Sequence, residues 1–87
     1  MGKREKTLEK ARRSAKGWTS ERLCRLYEMW GFERSSRSGH GGDLKYPHPK
    51  YPDLGQALVT KSSGEIHPFY VREAVRLIDD LIARGGT

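Results

Sequence analysis

The clearest pattern in the sequence is an apolar stripe near its C-terminal end, and this stripe limits the folds open to the chain. Pro68 suits the first position of a helix, where its missing N–H costs nothing, and Arg84 with Gly85 marks the helix end. Between them, apolar side chains recur at helical spacing, as in a helix that buries one face. The members of the stripe are Val71, Ala74, Val75, Ile78, Leu81 and Ile82.

A second helix is predicted from about Thr19 to Trp30. Thr19 is a suitable N-cap, and Trp18 before it is placed to pack on Leu23. Gly31 is expected to end the helix in the left-handed conformation. The apolar face of this helix consists of Leu23, Leu26, Tyr27 and Trp30.

The middle of the sequence predicts three short strands. The expected strands are residues 32–37, 44–46 and 57–60, and a proline-rich loop after the second excludes regular pairing there. We therefore expect an α+β domain with the order α-β-β-β-α. A three-stranded antiparallel sheet with both helices on one face would bury the apolar stripes.

The positive charge is unevenly distributed. The chain has 87 residues and a net charge of +6, and residues 1–20 hold seven basic against two acidic side chains. We interpret residues 1–17 as a basic tail, either disordered or a frayed helix, and residues 18–87 as the domain. The domain is expected to keep its fold when the tail is removed. Such a tail binds polyanions weakly, or only aids solubility.

Several features predict a cytoplasmic protein that does not enter a membrane. No apolar run approaches the roughly 20 residues that span a bilayer, and the charged N-terminus leads into no signal-like segment. Cys24 is the single cysteine, so it cannot form an internal disulfide. We expect it to be half-buried and inert.

Three histidines are the candidate chemical groups. They lack the compact spacing of a metal site, so no metal and no cofactor are expected. His48 is predicted to be an exposed loop residue, and His67 to help cap the closing helix. His40 lies among glycines, between Arg37 and Lys45. From the residues alone it is either a proton-transfer group or an ordinary loop residue.

Parts of the sequence resemble HicA-type mRNA interferases. The likeness lies in Gly31-Phe32, in Arg37-Ser38-Gly39-His40, in Tyr46-Pro47-His48-Pro49 and in the closing segment from Glu65. The resemblance implies a fold like the double-stranded-RNA-binding domain, which agrees with the predicted element order. It also implies a toxin that cleaves mRNA, uses His40 for catalysis and is silenced by a HicB-type antitoxin.

We therefore predict a metal-independent endoribonuclease. RNA supplies its own nucleophile, the 2′-hydroxyl, so the protein needs only a proton acceptor and positive charge near the phosphate. His40 would be the acid/base, and Arg37, Lys45 and Lys61 would hold the RNA backbone. The antitoxin would cover this same surface. The alternatives are an RNA-binding module without cleavage and a protein-interaction adaptor that uses Asp79-Asp80.

Overall fold

A computed structural model of the chain describes residues 2–35, 43–54, 57–60 and 64–85. Within these ranges the chain forms three α-helices, one short 3-10 helix and two strands. In chain order they are α1 (Lys3–Arg13), α2 (Ser20–Met29), β1 (Asp43–Tyr46), the 3-10 helix (Pro52–Leu54), β2 (Ala57–Thr60) and α3 (Pro68–Ala83).

The prediction of a three-stranded sheet is wrong, because the described sheet has two strands. β1 and β2 pair antiparallel, with Lys45 opposite Leu58. In the region predicted as the first strand, the N–H of Glu33 donates to the carbonyl of Pro47 at 3.0 Å, and that of Ser35 to the carbonyl of Lys45 at 2.9 Å. Regular antiparallel pairing would require Pro47 to return a hydrogen bond to Glu33, and proline has no N–H. Residues 36 and 37, the end of the predicted strand, lie outside the described residues.

The prediction of two helices is also wrong, because α1 forms within the segment interpreted as a tail. Leu8 and Ala11 of α1 are 4% and 3% exposed, so they belong to the hydrophobic core. Arg12 donates two hydrogen bonds of 2.7 Å to the carboxylate of Asp79 on α3. Two apolar residues cannot hold a helix alone, and contacts with α2 and α3 supply the missing stabilisation. The packing of α1 therefore argues against the expectation that the domain keeps its fold when residues 1–17 are removed.

Helix α2 confirms its predicted start and end. The Thr19 hydroxyl accepts a hydrogen bond of 3.2 Å from the N–H of Arg22, as an N-cap does. Gly31 ends the helix with φ +88°, in the left-handed region that favours glycine. The buried face of α2 then meets the sheet through aromatic rings: Tyr27 lies 5.7 Å from Tyr46 on β1, between ring centroids.

Helix α3 buries one face against the sheet and the other helices. Val75 and Ile82, both in the predicted stripe, lie at its edges, half-buried and 39% exposed respectively. Leu77, which the predicted stripe left out, is buried instead. The buried residues of α3 are Val71, Ala74, Leu77, Ile78 and Leu81. Over the part of the chain that the structure describes, no helix has the length and apolar character to span a membrane.

Candidate nucleic-acid interface

The sheet has one buried face and one open face. Leu44 and Tyr46 point into the core, so alternation along β1 puts Lys45 on the opposite face, where it is half-buried. Its cross-strand neighbour Leu58 is 42% exposed. Leu58 lines a shallow depression together with Phe69 of α3, a residue that is 56% exposed. A cation and an exposed aromatic ring therefore lie near the same open surface.

Lys45 is the one predicted site residue that the structure describes. Arg37 and His40, in the segment 36–42, and Lys61, in the segment 61–63, lie outside the described residues. The described residues next to these segments come together in the sheet. Ser35 donates to the Lys45 carbonyl, and Asp43 is the cross-strand partner of Thr60. Both segments thus connect to the same end of the sheet, beside Lys45.

His67 caps helix α3, as predicted. Its Nδ1 accepts a hydrogen bond of 3.0 Å from the N–H of Phe69, and Pro68 occupies the first helical turn. The side chain thereby satisfies one of the N–H groups that the start of a helix leaves unpaired. His67 is exposed, and capping is the role that its contacts support.

His48 lies in the core, so the prediction of an exposed loop residue is wrong. It is 5% exposed, with its ring 5.1 Å from that of Phe32 and 5.3 Å from that of Tyr51, between centroids. Its Nδ1 accepts a hydrogen bond of 3.1 Å from the N–H of Lys50. The imidazole packs like an aromatic residue, and its acceptor is satisfied by the local turn, so burial is not opposed by an unpaired polar atom.

Replacing His48 by alanine should lower the free energy of unfolding by about 2–4 kcal/mol, because the change leaves a cavity between two aromatic rings. Thermal unfolding followed by circular dichroism would measure the effect. The matched control is His67→Ala, which removes an exposed cap and should cost about 1 kcal/mol. Equal melting temperatures for the two variants would contradict the buried role of His48.

Cys24 is half-buried, in agreement with the prediction. Burial raises the pKa of its thiol, although a hydrogen bond with Tyr46 opposes this shift. Tyr46 also donates a hydrogen bond of 3.2 Å to the carboxylate of Glu28. A thiol with a raised pKa is a poor nucleophile at neutral pH, so these contacts support an inert Cys24.

Sequence reasoning missed the arrangement of the basic side chains on α1 and α2. The guanidinium of Arg22 lies 4.2 Å from the ring centroid of Trp18, and that of Arg4 lies 4.5 Å from the ring centroid of Trp30. Cation–π contacts of this kind hold a charged group at a fixed position over an apolar surface. The spacing of the lysines in α1 was the available signal, but it is informative only once α1 is known to be a packed helix.

No group of three or more His, Cys, Asp or Glu side chains among the described residues is arranged to hold a metal ion. Comparisons of the chain with known protein families, with curated protein sequences and with solved structures found no match.

Proposed function

We propose that this protein binds RNA and cleaves it without a metal ion. His40 transfers the proton, and Arg37, Lys45 and Lys61 hold the RNA backbone. The observation that carries the proposal is the pairing at one end of the sheet. The described residues adjoining the segments of His40 and Lys61 meet there, beside Lys45 on the open face. The resemblance of residues 37–40 to the HicA-type signature supports the role of His40.

The proposed chemistry needs few protein groups, which suits an 87-residue chain. The 2′-oxygen of a ribose bonds to the adjacent phosphorus, while the bond from phosphorus to the 5′-oxygen of the next nucleotide breaks. His40 takes the proton of the 2′-hydroxyl, and the leaving 5′-oxygen gains a proton. The products are a 2′,3′-cyclic phosphate and a 5′-hydroxyl. Cations beside the phosphate stabilise the negative charge that develops on its oxygens.

The open face also offers a surface for single-stranded RNA. Unpaired bases stack on exposed aromatic rings, and Phe69 provides such a ring next to Leu58. Lys45, opposite Leu58, makes no ion pair with any described residue, so its charge is free to meet a phosphate. An acidic HicB-type antitoxin is the proposed partner for this same face, because it would cover Lys45 and block RNA.

The contacts of Asp79 and Asp80 argue against the adaptor alternative. Asp79 is held by Arg12, and Asp80 lies 3.6 Å from the guanidinium of Arg84, which also binds Asp53. An acidic pair that already meets two arginines is a poor docking site for a basic partner.

The proposal is tested with an RNA that has one cleavage position and its counterpart with a single 2′-deoxy nucleotide there. We expect cleavage of the RNA and none of the deoxy substrate, because the nucleophile is gone, with unchanged rates in a chelator. Gel analysis of the labelled strands measures both rates. Cleavage of the deoxy substrate, or loss of activity in the chelator, would contradict the mechanism. Binding without any cleavage would identify the inactive RNA-binding module instead.

A further inference from the structure

Helix α1 carries a stripe of positive charge on the face opposite its buried residues. Six of its side chains are basic and two are acidic. Lys3, Lys6, Lys10 and Arg13 follow one another at intervals of three or four residues, so they share one side of the helix. Leu8 and Ala11 lie on the opposite side. We call these four residues the α1 basic stripe.

Most of the stripe is not neutralised by neighbouring acids. The other arginines of α1 have acidic partners: Arg4 is 3.2 Å from Glu5, and Arg12 is held by Asp79. Arg13 is 3.8 Å from Glu9. The three lysines of the stripe make no ion pair with any described residue. Like charges at such spacing destabilise a helix, and a bound anion would relieve this repulsion.

The stripe continues into a groove between α1 and α2. Lys10 forms one wall, Arg22 and Arg25 form the other, and Trp18 contributes to the lining. Arg25 is already paired with Glu21 at 2.7 Å, so Lys10 and Arg22 are the cations available to a ligand. The contact with Trp18 fixes the guanidinium of Arg22, whose Nη1 also donates a hydrogen bond of 3.5 Å to the Gly17 carbonyl. Cations from two helices therefore converge on one open surface. Such a surface fits an extended polyanion with regularly spaced charges better than a single small anion.

We propose that the α1 basic stripe and this groove bind the phosphate backbone of RNA, as a second contact surface beside the sheet. The inference rests on the RNA-binding part of the proposed function and not on cleavage. The contacts are to phosphates, so they add affinity for all RNA sequences equally and are weakened by salt. Helix α1 is held to α3 by the Arg12–Asp79 pair, so the stripe has a fixed position on the domain.

The test compares two full-length double variants that lose the same charge. Lys6→Gln with Lys10→Gln alters the stripe, and Lys50→Gln with Arg72→Gln alters exposed cations elsewhere. The probe is a labelled single-stranded RNA with 2′-O-methyl groups, which cannot be cleaved through its 2′-oxygen. We expect the stripe variant to raise Kd several-fold at low salt. It should also reduce the slope of log K against log salt by about 1.4, since each phosphate contact to a single strand contributes roughly 0.7.

The control variant should keep the parental slope, and the melting temperature of the free stripe variant should not fall. Equal slopes for the two variants would overturn the inference. So would stripe-dependent binding to phosphatidylserine vesicles with unchanged RNA binding, which would identify a membrane surface as the partner. If RNA cleavage depends on His40 but the stripe variant binds RNA with the parental Kd and salt slope, this inference fails and the proposed function stands. If the stripe variant binds RNA more weakly and with a smaller salt slope but the wild-type chain cleaves no RNA, the enzymatic proposal fails and the second surface stands.

Discussion

Replacing His40 by alanine should reduce the rate of RNA cleavage by about 10²–10⁴-fold, which is the usual contribution of general acid–base catalysis. The loss should appear in single-turnover cleavage of a defined RNA at saturating protein. RNA affinity should hardly change, because the proposed function assigns the backbone contacts to Arg37, Lys45 and Lys61. Expression of the wild-type chain should slow bacterial growth, and the variant should not.

The control for this prediction is His67→Ala, which removes a histidine of a different role. His67 binds the N–H of Phe69, so its loss should lower stability slightly and leave most of the cleavage activity. Full activity of His40→Ala would contradict the assignment of the catalytic group. Loss of activity together with a lowered melting temperature would indicate that His40 supports the fold and not the reaction.

Removing residues 1–16 should destabilise the domain strongly. The deletion takes away the buried side chains of Leu8 and Ala11 and the two hydrogen bonds from Arg12 to Asp79. It also uncovers Trp18, whose Nε1 donates to the carbonyl of Ser14 at 3.0 Å. Loss of a single buried leucine costs about 2–5 kcal/mol, and 1 kcal/mol shifts the melting temperature of a small domain by roughly 4–8 °C. We expect a decrease of at least about 10 °C, or loss of the cooperative transition.

Single substitutions separate packing from charge in this prediction. Leu8→Ala should reproduce a large part of the destabilisation, whereas Lys6→Ala, on the exposed side of the same helix, should have little effect on unfolding. A shortened chain that melts at the parental temperature would contradict the packed position of α1.

The two long apolar patterns were sufficient to predict α2 and α3, because a helix that buries one face repeats its apolar residues over several turns. The sequence did not predict α1, since Leu8 and Ala11 make a stripe too short to recognise without α2 and α3 beside it. A strand was also predicted over residues 32–37, but pairing depends on individual N–H groups, and Pro47 opposite this segment lacks one.

The candidate site was predictable only in part. The cap at His67 follows from its position before Pro68, a local pattern. The burial of His48 depends on Phe32, sixteen residues earlier, and on the turn through Lys50, so it could not be inferred from neighbours in the sequence. Lys45 could be assigned to the open face from strand alternation alone, because Leu44 and Tyr46 are both apolar.

The pairing of Arg12 with Asp79 joins positions 67 residues apart in the chain, and this separation affects the order in which the molecule folds. Helix α1 contacts both α2 and α3, so its docking cannot be completed until α3 has been made. Contacts between distant positions form slowly, because the intervening chain must first lose its freedom. Until α3 appears, Arg12 lacks its carboxylate partner. The packing of α1 is therefore completed only after α3 has formed.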